Sequence, residues 1–136
     1  MQKIRATALV VRDEKVLMVH RFRDGEEYYV LPGGMTEEGE SIEDAVLREL
    51  KEETTLEGSG LKEVLDYTDD ICRNRIFLIG NFEGEVVKLS ENSPEYKKQN
   101  EKDQYSVEWV PVNEILFLTI WPMQTREFLF KYFKLA

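Results

Sequence analysis

Apolar and β-branched residues gather in short segments separated by polar turns, a pattern typical of β-strands. Pro32 reinforces one of these segments, because the residue before a proline is held extended. The stretch 83–104 is polar and has little periodicity. The predicted strands, in chain order, are Ile4–Val11, Val16–Phe22, Tyr28–Leu31, Leu61–Tyr67, Arg75–Phe82 and Val107–Val110.

One segment changes to the 3.6-residue period of an amphipathic helix, and we predict a helix over Ile42–Thr54. Ser41 is a suitable N-cap, and Asp44 follows three residues later as in a capping box. The apolar stripe, which should face a core, consists of Ile42, Val46, Leu47 and Leu50. The residues expected to face water are Asp44, Arg48 and Lys51.

A second helix should begin at or next to Pro122, since proline is favoured in the first turn. Its aromatic and leucine side chains should pack on a sheet. Strands with a helix between them and a helix at the end indicate an α/β protein with a mixed sheet covered on both faces. The 136 residues contain no repeat or linker, so we expect a single domain over 1–136.

Three glutamates, Glu49, Glu52 and Glu53, crowd the last turns of the predicted first helix. Each exposed anion at that end opposes the helix macrodipole, at a typical cost of ~0.3–1 kcal/mol. The three side chains project together beside the apolar stripe, where the wall of a cleft would lie. We interpret them as a site for a divalent metal; the alternative is a solvated acidic helix.

Composition narrows the class of protein further. No apolar run approaches the roughly 20 residues of a membrane span, so no membrane partner is expected. The first residues lack the apolar core of a signal peptide. A single cysteine, Cys72, excludes an internal disulfide and suits a reducing compartment. We therefore expect a cytoplasmic protein in which Cys72 is a small, partly buried residue.

The net charge of −9 bears on the substrate. Nine acidic and two basic residues lie between Glu37 and Glu57, so the negative charge is concentrated around the glutamate cluster. Such a field opposes the binding of long nucleic acid, which needs a basic surface. A phosphate carried by a metal ion is acceptable to it, which favours a small, metal-bridged substrate.

Residues between Gly34 and Leu56 follow the spacing G-x5-E-x7-R-E-U-x-E-E-x-G-U, where U is aliphatic, at every position but one. This spacing resembles the signature of the Nudix hydrolases. The preceding Leu31–Gly34 is similar to the lead-in common in that family. Thr55 stands where the signature has glycine, and a β-branched residue is strained at the positive φ expected there. We therefore expect the helix end to move toward Gly58. The matching positions are Gly34, Glu40, Arg48, Glu49, Leu50, Glu52, Glu53 and Leu56.

The resemblance implies an α/β/α sandwich and hydrolysis of a phosphoanhydride with Mg²⁺, or with Mn²⁺ as the alternative. It implies that Gly33, through its carbonyl, Glu49, Glu52 and Glu53 bind the metal. Glu49 has a second interpretation as the base for the attacking water. Arg48 would orient the carboxylates.

The resemblance also implies that Glu40 and Gly34 structure the loop. A further acid from the loop before a late strand should join the site, with Glu101 and Asp103 as candidates. For substrate binding, Arg21 and Arg23 are candidates for phosphate contacts. Tyr29, like its neighbour Tyr28, is a candidate for stacking on a base. His20 is interpreted as structural.

The implied substrate is a small nucleotide: a nucleoside triphosphate, a damaged nucleotide, a dinucleotide or a nucleotide sugar, cleaved to release a nucleoside monophosphate. The alternative is a nucleotide-sensing or scaffold module that keeps the fold without turnover. The presence of every motif carboxylate favours the enzyme. The sequence leaves the oligomer state open.

Overall fold

The computed structural model describes residues 3–85 and 103–135. These residues form eight strands, two α-helices and one 3₁₀ helix. The strands are β1 (Ile4–Leu9), β2 (Val11–Arg12), β3 (Lys15–Arg23), β4 (Glu26–Val30), β5 (Gly33–Met35), β6 (Glu57–Thr68), β7 (Arg73–Glu83) and β8 (Asp103–Pro111). The helices are α1 (Ile42–Thr54), the 3₁₀ helix (Val112–Phe117) and α2 (Met123–Tyr132).

The strands form two sheets. The first has the order β5-β1-β7-β6; β1 and β7 are parallel and the other neighbours antiparallel, so this sheet is mixed. In the second sheet β3 is central and pairs antiparallel with β2, β4 and β8. Gly33 pairs with Thr7, which places the start of β5 beside the middle of β1.

The helices cover opposite faces of the first sheet, because successive side chains of a strand point to opposite faces. Ala6 and Ala8 of β1 share one core cluster with Val46 and Leu50 of α1. Leu9, on the other face of β1, shares a second cluster with residues of β7 and α2. The predicted α/β/α arrangement is confirmed.

The strands differ from the predicted ones where polar residues take part in pairing. The predicted strand Ile4–Val11 is divided at the fully buried Val10 into β1 and β2, which belong to different sheets. Residues 23–27, which lie between two predicted strands, extend both strands into a hairpin closed by Asp24 and Gly25, with φ of 49° and 84°. Two residues at positive φ are what a tight type I′ hairpin turn requires.

The first helix has the predicted bounds, and its N-cap is confirmed: the backbone N–H of Asp44 donates to Ser41 Oγ at 3.1 Å. The expected displacement of its C-terminus toward Gly58 is wrong. The helix ends at Thr54, and Thr55 adopts the left-handed conformation with φ 69° and ψ 0°. Its N–H donates to Lys51 O at 3.0 Å, closing the last turn as the motif glycine would.

Thr55 keeps this conformation because both sides of it are anchored. Its Oγ1 lies 2.5 Å from the Thr54 carbonyl and 3.1 Å from the Glu85 carbonyl, just beyond β7, and its single proton is shared between these two acceptors. The next residue, Leu56, is fully buried in the core against α1. In the described part of the chain, neither helix is long and apolar enough to cross a bilayer.

Candidate metal and phosphate site

Gly33 and Gly34, at the start of β5, bring the backbone against α1. We call this pair the glycine turn. A Cβ atom on Gly33 would lie 2.6 Å from the carbonyl oxygen of Ala6, so only glycine allows β5 to approach β1 this closely. A Cβ atom on Gly34 would lie 2.5 Å from the carboxylate of Glu49. Gly33 therefore allows the close pairing of β5 with β1, and Gly34 leaves the space that the Glu49 carboxylate occupies.

Two of the three clustered glutamates are buried. Glu49 and Glu53 expose only 8% and 4% of their surface, whereas the Glu52 side chain remains 31% exposed. Glu53 Oε1 accepts a hydrogen bond from the Gly33 N–H at 2.9 Å. A buried carboxylate needs such partners, because the loss of hydration is costly. These side chains are therefore built into the contact between helix and turn.

Arg48 connects the acidic groups around this contact. Its Nε and Nη2 donate to the two oxygens of Glu40 at 2.8 and 3.1 Å, a bidentate pair. Its Nη1 donates to Glu49 Oε1 at 2.9 Å and lies 3.4 Å from both oxygens of Glu52. Nη2 also reaches the Met35 carbonyl at 3.2 Å. The expectation that Arg48 faces water is wrong, because its long side chain folds back onto the loop.

Electrostatics reflect these contacts. The hydrogen bond from Arg48, with a second from the Glu37 N–H at 3.0 Å, holds the pKa of Glu40 below its ordinary value of 4.5. The hydrogen bond to Glu40 and the charge of Glu49 raise the pKa of Arg48 above its ordinary value. The pair therefore stays ionised at neutral pH and fixes the 37–40 loop to α1.

The donor set suits a hard divalent cation, since it consists of carboxylate and carbonyl oxygens. Within residues 3–85 and 103–135, no three carboxylate, histidine or cysteine side chains form a ready metal cage. In this arrangement Arg48 and the Gly33 N–H hold oxygens that a cation would take. Binding a cation here requires an exchange of partners at Glu49, Glu52 and Glu53.

A family model described as NUDIX domain matches residues 1–132 of this chain. The chain belongs to the Nudix family. Over 42 residues it is 50% identical to "Uncharacterized Nudix hydrolase YvcI" of Bacillus subtilis, which covers 31% of this chain and 25% of that protein. Over 49 residues it is 43% identical to an "ADP-ribose pyrophosphatase" of Methanocaldococcus jannaschii, covering 35% and 29%.

The matches therefore span less than a third of these curated relatives. Among solved structures, the Nudix fold is shared with MutT from work on Aliivibrio salmonicida and Vibrio cholerae, at a TM-score of 0.73. That alignment is 17% identical and covers 96% of each chain. The likeness in fold therefore extends over nearly the whole chain.

Three strands of this Nudix fold hold the guanidinium group of Arg21 between two tyrosine rings. Arg21 of β3 pairs directly with Tyr28 of β4 and with Tyr105 of β8. Its guanidinium carbon lies 4.6 Å from the Tyr105 ring centre and 5.9 Å from that of Tyr28. Arg21 shares a face of β3 with Leu17, which packs in the core cluster of α1. Sequence reasoning missed Tyr105, since only the register reveals it.

Tyr29, another predicted substrate contact, lies on the opposite face and packs on the core beneath α2. Its ring stacks on His20 at 4.2 Å, and the two ring nitrogens of His20 contact Glu108 at 2.6 Å and Glu27 at 2.7 Å. Burial, with the charges of Glu108 and Glu27, raises the pKa of Tyr29 above its ordinary 10.0. The structure does not bring Tyr29 to the face that carries the glutamates.

The remaining candidates are distributed as follows. Arg23 is exposed at the end of β3, 4.0 Å from Asp24. Glu101 lies outside the described residues. Asp103 begins β8 and pairs with Arg23 through its backbone. Cys72 is buried beside the β6–β7 turn, as expected.

Proposed function

We propose that this protein is a pyrophosphohydrolase that uses a divalent cation, Mg²⁺ or Mn²⁺, to open a phosphoanhydride in a nucleoside diphosphate derivative. The observation that carries the proposal is the contact of the α1 glutamates with the glycine turn. Carboxylates at i, i+3 and i+4 of a rigid helix reach the same small volume. Glu53 accepts a hydrogen bond from the Gly33 N–H, and Glu49 lies against Gly34. The Gly33 carbonyl would add a further oxygen.

We assign the metal ligands as Glu49, Glu52, Glu53 and the Gly33 carbonyl. Bound there, a divalent cation lowers the pKa of a coordinated water and neutralises charge on phosphoryl oxygens. Arg48 orients Glu49 and keeps the 37–40 loop on the helix through Glu40. Arg21, held between tyrosine rings, supplies a positive charge for a phosphate on the same side of the fold as α1, and Arg23 extends that charge along β3.

In the reaction, water attacks one phosphorus atom and the bridging oxygen leaves with the other phosphate. The water loses one proton to a base, and the products are a nucleoside monophosphate and a phosphorylated remainder. Glu49 is the residue whose role has two forms, metal ligand or proton acceptor. A Glu49→Gln variant separates them, because a base alone leaves Mg²⁺ affinity unchanged when it is removed.

The class of substrate is supported by charge and by the relatives. The acidic surroundings of α1 disfavour a polyanionic nucleic acid and accept a phosphate bridged by a metal. The Methanocaldococcus jannaschii relative is named an ADP-ribose pyrophosphatase, and it is 43% identical to this chain over 49 residues. We therefore place the substrate among small nucleoside diphosphate derivatives.

The test is a panel of nucleoside triphosphates, dinucleotides and nucleotide sugars incubated with Mg²⁺ in ¹⁸O-labelled water. The product masses identify the anhydride that is cut and the phosphorus that gains the label. Glu53→Gln should lower turnover by orders of magnitude. Glu43→Gln, on the exposed first turn of the same helix, is the matched control and should keep it. Normal turnover of Glu53→Gln at saturating Mg²⁺ would reject the assigned site.

A further inference from the structure

A cleft of about 600 Å³ lies at the outer edge of β4, beside the β3–β4 hairpin. Its volume falls in the range of small-molecule sites. It is lined by Arg23, Asp24, Glu26, Tyr28 and Trp121. Two aromatic rings and three charged groups thus meet in one open space on the edge of the second sheet.

Trp121 presents an exposed indole on a fixed backbone. The backbone N–H of Trp121 donates to the Tyr29 carbonyl at 3.0 Å, and the backbone N–H of Tyr29 donates to the Thr119 carbonyl at 2.8 Å. The intervening Ile120 is 1% exposed, so the segment is anchored in the core. The Trp121 side chain nevertheless remains 44% exposed. A large aromatic surface held rigidly in a cleft is a suitable platform for a flat aromatic ligand.

The charges of the cleft select the part of a nucleotide that fits. Asp24 and Glu26 repel phosphate, and among the described residues that line the cleft only Arg23 is positive. Ionised carboxylates accept hydrogen bonds only, so they suit the N–H donors of a base that carries an amino group. Enzymes that read single bases combine such edge contacts with aromatic stacking.

The cleft and the proposed phosphate site are linked by a short stretch of backbone. From Tyr28 to Gly33 the backbone runs through β4 and Leu31-Pro32 into the glycine turn. Five extended steps span at most about 17 Å. A base at Tyr28 and a phosphate near Gly33 are therefore separated by a distance on the scale of one nucleotide.

We propose that this cleft binds the base of the nucleotide, with Trp121 and Tyr28 as aromatic contacts and Glu26 and Asp24 as acceptors from its amino group. The assignment rests on the proposed function for the remainder of the substrate. It predicts preference for adenine, guanine or cytosine over uracil.

Kinetics provide the first test. Trp121→Leu keeps an apolar side chain and removes the ring, so KM for the hydrolysed nucleotide should rise about 5- to 150-fold with little change in kcat. Trp121→Phe should recover part of the loss. Phe117→Ala removes an 84% exposed ring four residues earlier and is the matched control, expected to leave KM unchanged. An unchanged KM in Trp121→Leu would overturn the proposal.

Binding of nucleosides tests the cleft without hydrolysis. With ¹⁵N-labelled protein and millimolar adenosine, cytidine or uridine, the indole N–H resonance of Trp121 should shift and that of Trp109 should not. Cytidine should bind more tightly than uridine, and Glu26→Leu should reduce that difference. No shift at Trp121 with any nucleoside would refute the base site. A shift in a protein that hydrolyses no nucleotide would reject the proposed function and keep this site.

Discussion

Replacing Arg48 should destabilise the protein, because this side chain neutralises two largely buried carboxylates. The side chains of Arg48, Glu40 and Glu49 are only 24%, 15% and 10% exposed. Removing one member of a buried ion pair typically costs ~3–5 kcal/mol, since the partner charge is left uncompensated. We therefore expect Arg48→Met to lower the free energy of unfolding by about that amount.

Arg48→Lys is an intermediate case. Lysine keeps the charge but lacks the planar fork that contacts Glu40 and the Met35 carbonyl together. Hydrogen bonds to charged groups contribute about 1.5–3 kcal/mol each, so a loss of that size is expected. The control is Arg73→Lys, whose pair with Asp66 is 36% and 37% exposed and should change stability by less than about 1 kcal/mol.

Urea unfolding at pH 7 measures all three variants. Acidification adds a second observable, because Arg48 holds the pKa of Glu40 below 4.5. A carboxyl with a lowered folded-state pKa stabilises the protein above its unfolded-state pKa and loses this contribution as pH falls through the folded value. Below pH 4.5, Arg48→Met should therefore lose less stability than the wild type. A cost under 1 kcal/mol for Arg48→Met, with unchanged acid dependence, would refute this account.

Three further outcomes are expected. Mg²⁺ at 100 times its dissociation constant should stabilise the wild type by about 2.7 kcal/mol. Thermal melts should show little of this gain in Glu53→Gln. An equal gain in the variant would exclude Glu53 as a ligand. Thr55→Ala keeps the strained φ and loses the hydrogen bond to Glu85, so urea titration should show a free energy of unfolding lower by about 1 kcal/mol. Thr55→Gly should match the wild type. A Thr55→Gly variant less stable than Thr55→Ala would argue against strain. Gly34→Ala places a methyl group against Glu49 and should cost about 1–3 kcal/mol, with weaker Mg²⁺ stabilisation; wild-type values would contradict the packing described.

Local signals predicted much of the fold. The bounds of α1 follow from Ser41 and the apolar period, and the alternating strands identified most of both sheets. The hairpin at Asp24-Gly25 carries a recognisable turn signal, but the charged residues around it conceal the strand pattern. The division at Val10 has no local signal, because apolar residues continue through it. Only the pairing of β1 and β2 with different partners creates that break.

The sequence predicted only the part of the candidate site that lies on one helix, α1. The spacing of Glu49, Glu52 and Glu53 places them together on any α-helix. The position of Arg48 on the helical wheel pointed to water, since a wheel ignores the length of an arginine side chain and the loop beside it. Tyr105 and Trp121 depend on strand register and on an edge contact between segments distant in sequence. Such contacts are set by tertiary structure.

Arg48 also affects the electrostatics of the C-terminal end of α1. Acidic side chains at the C-terminal end of α1 are unfavourable, yet Arg48 and the Gly33 N–H already offset two of them. These contacts let the helix pack on the glycine turn with Glu49 and Glu53 held in fixed positions. At the proposed metal site, a cation would have to exchange for these partners, but it would not have to order mobile side chains. Ligands that are already held lose less entropy on binding, so Arg48 would lower that cost while competing for the same oxygens.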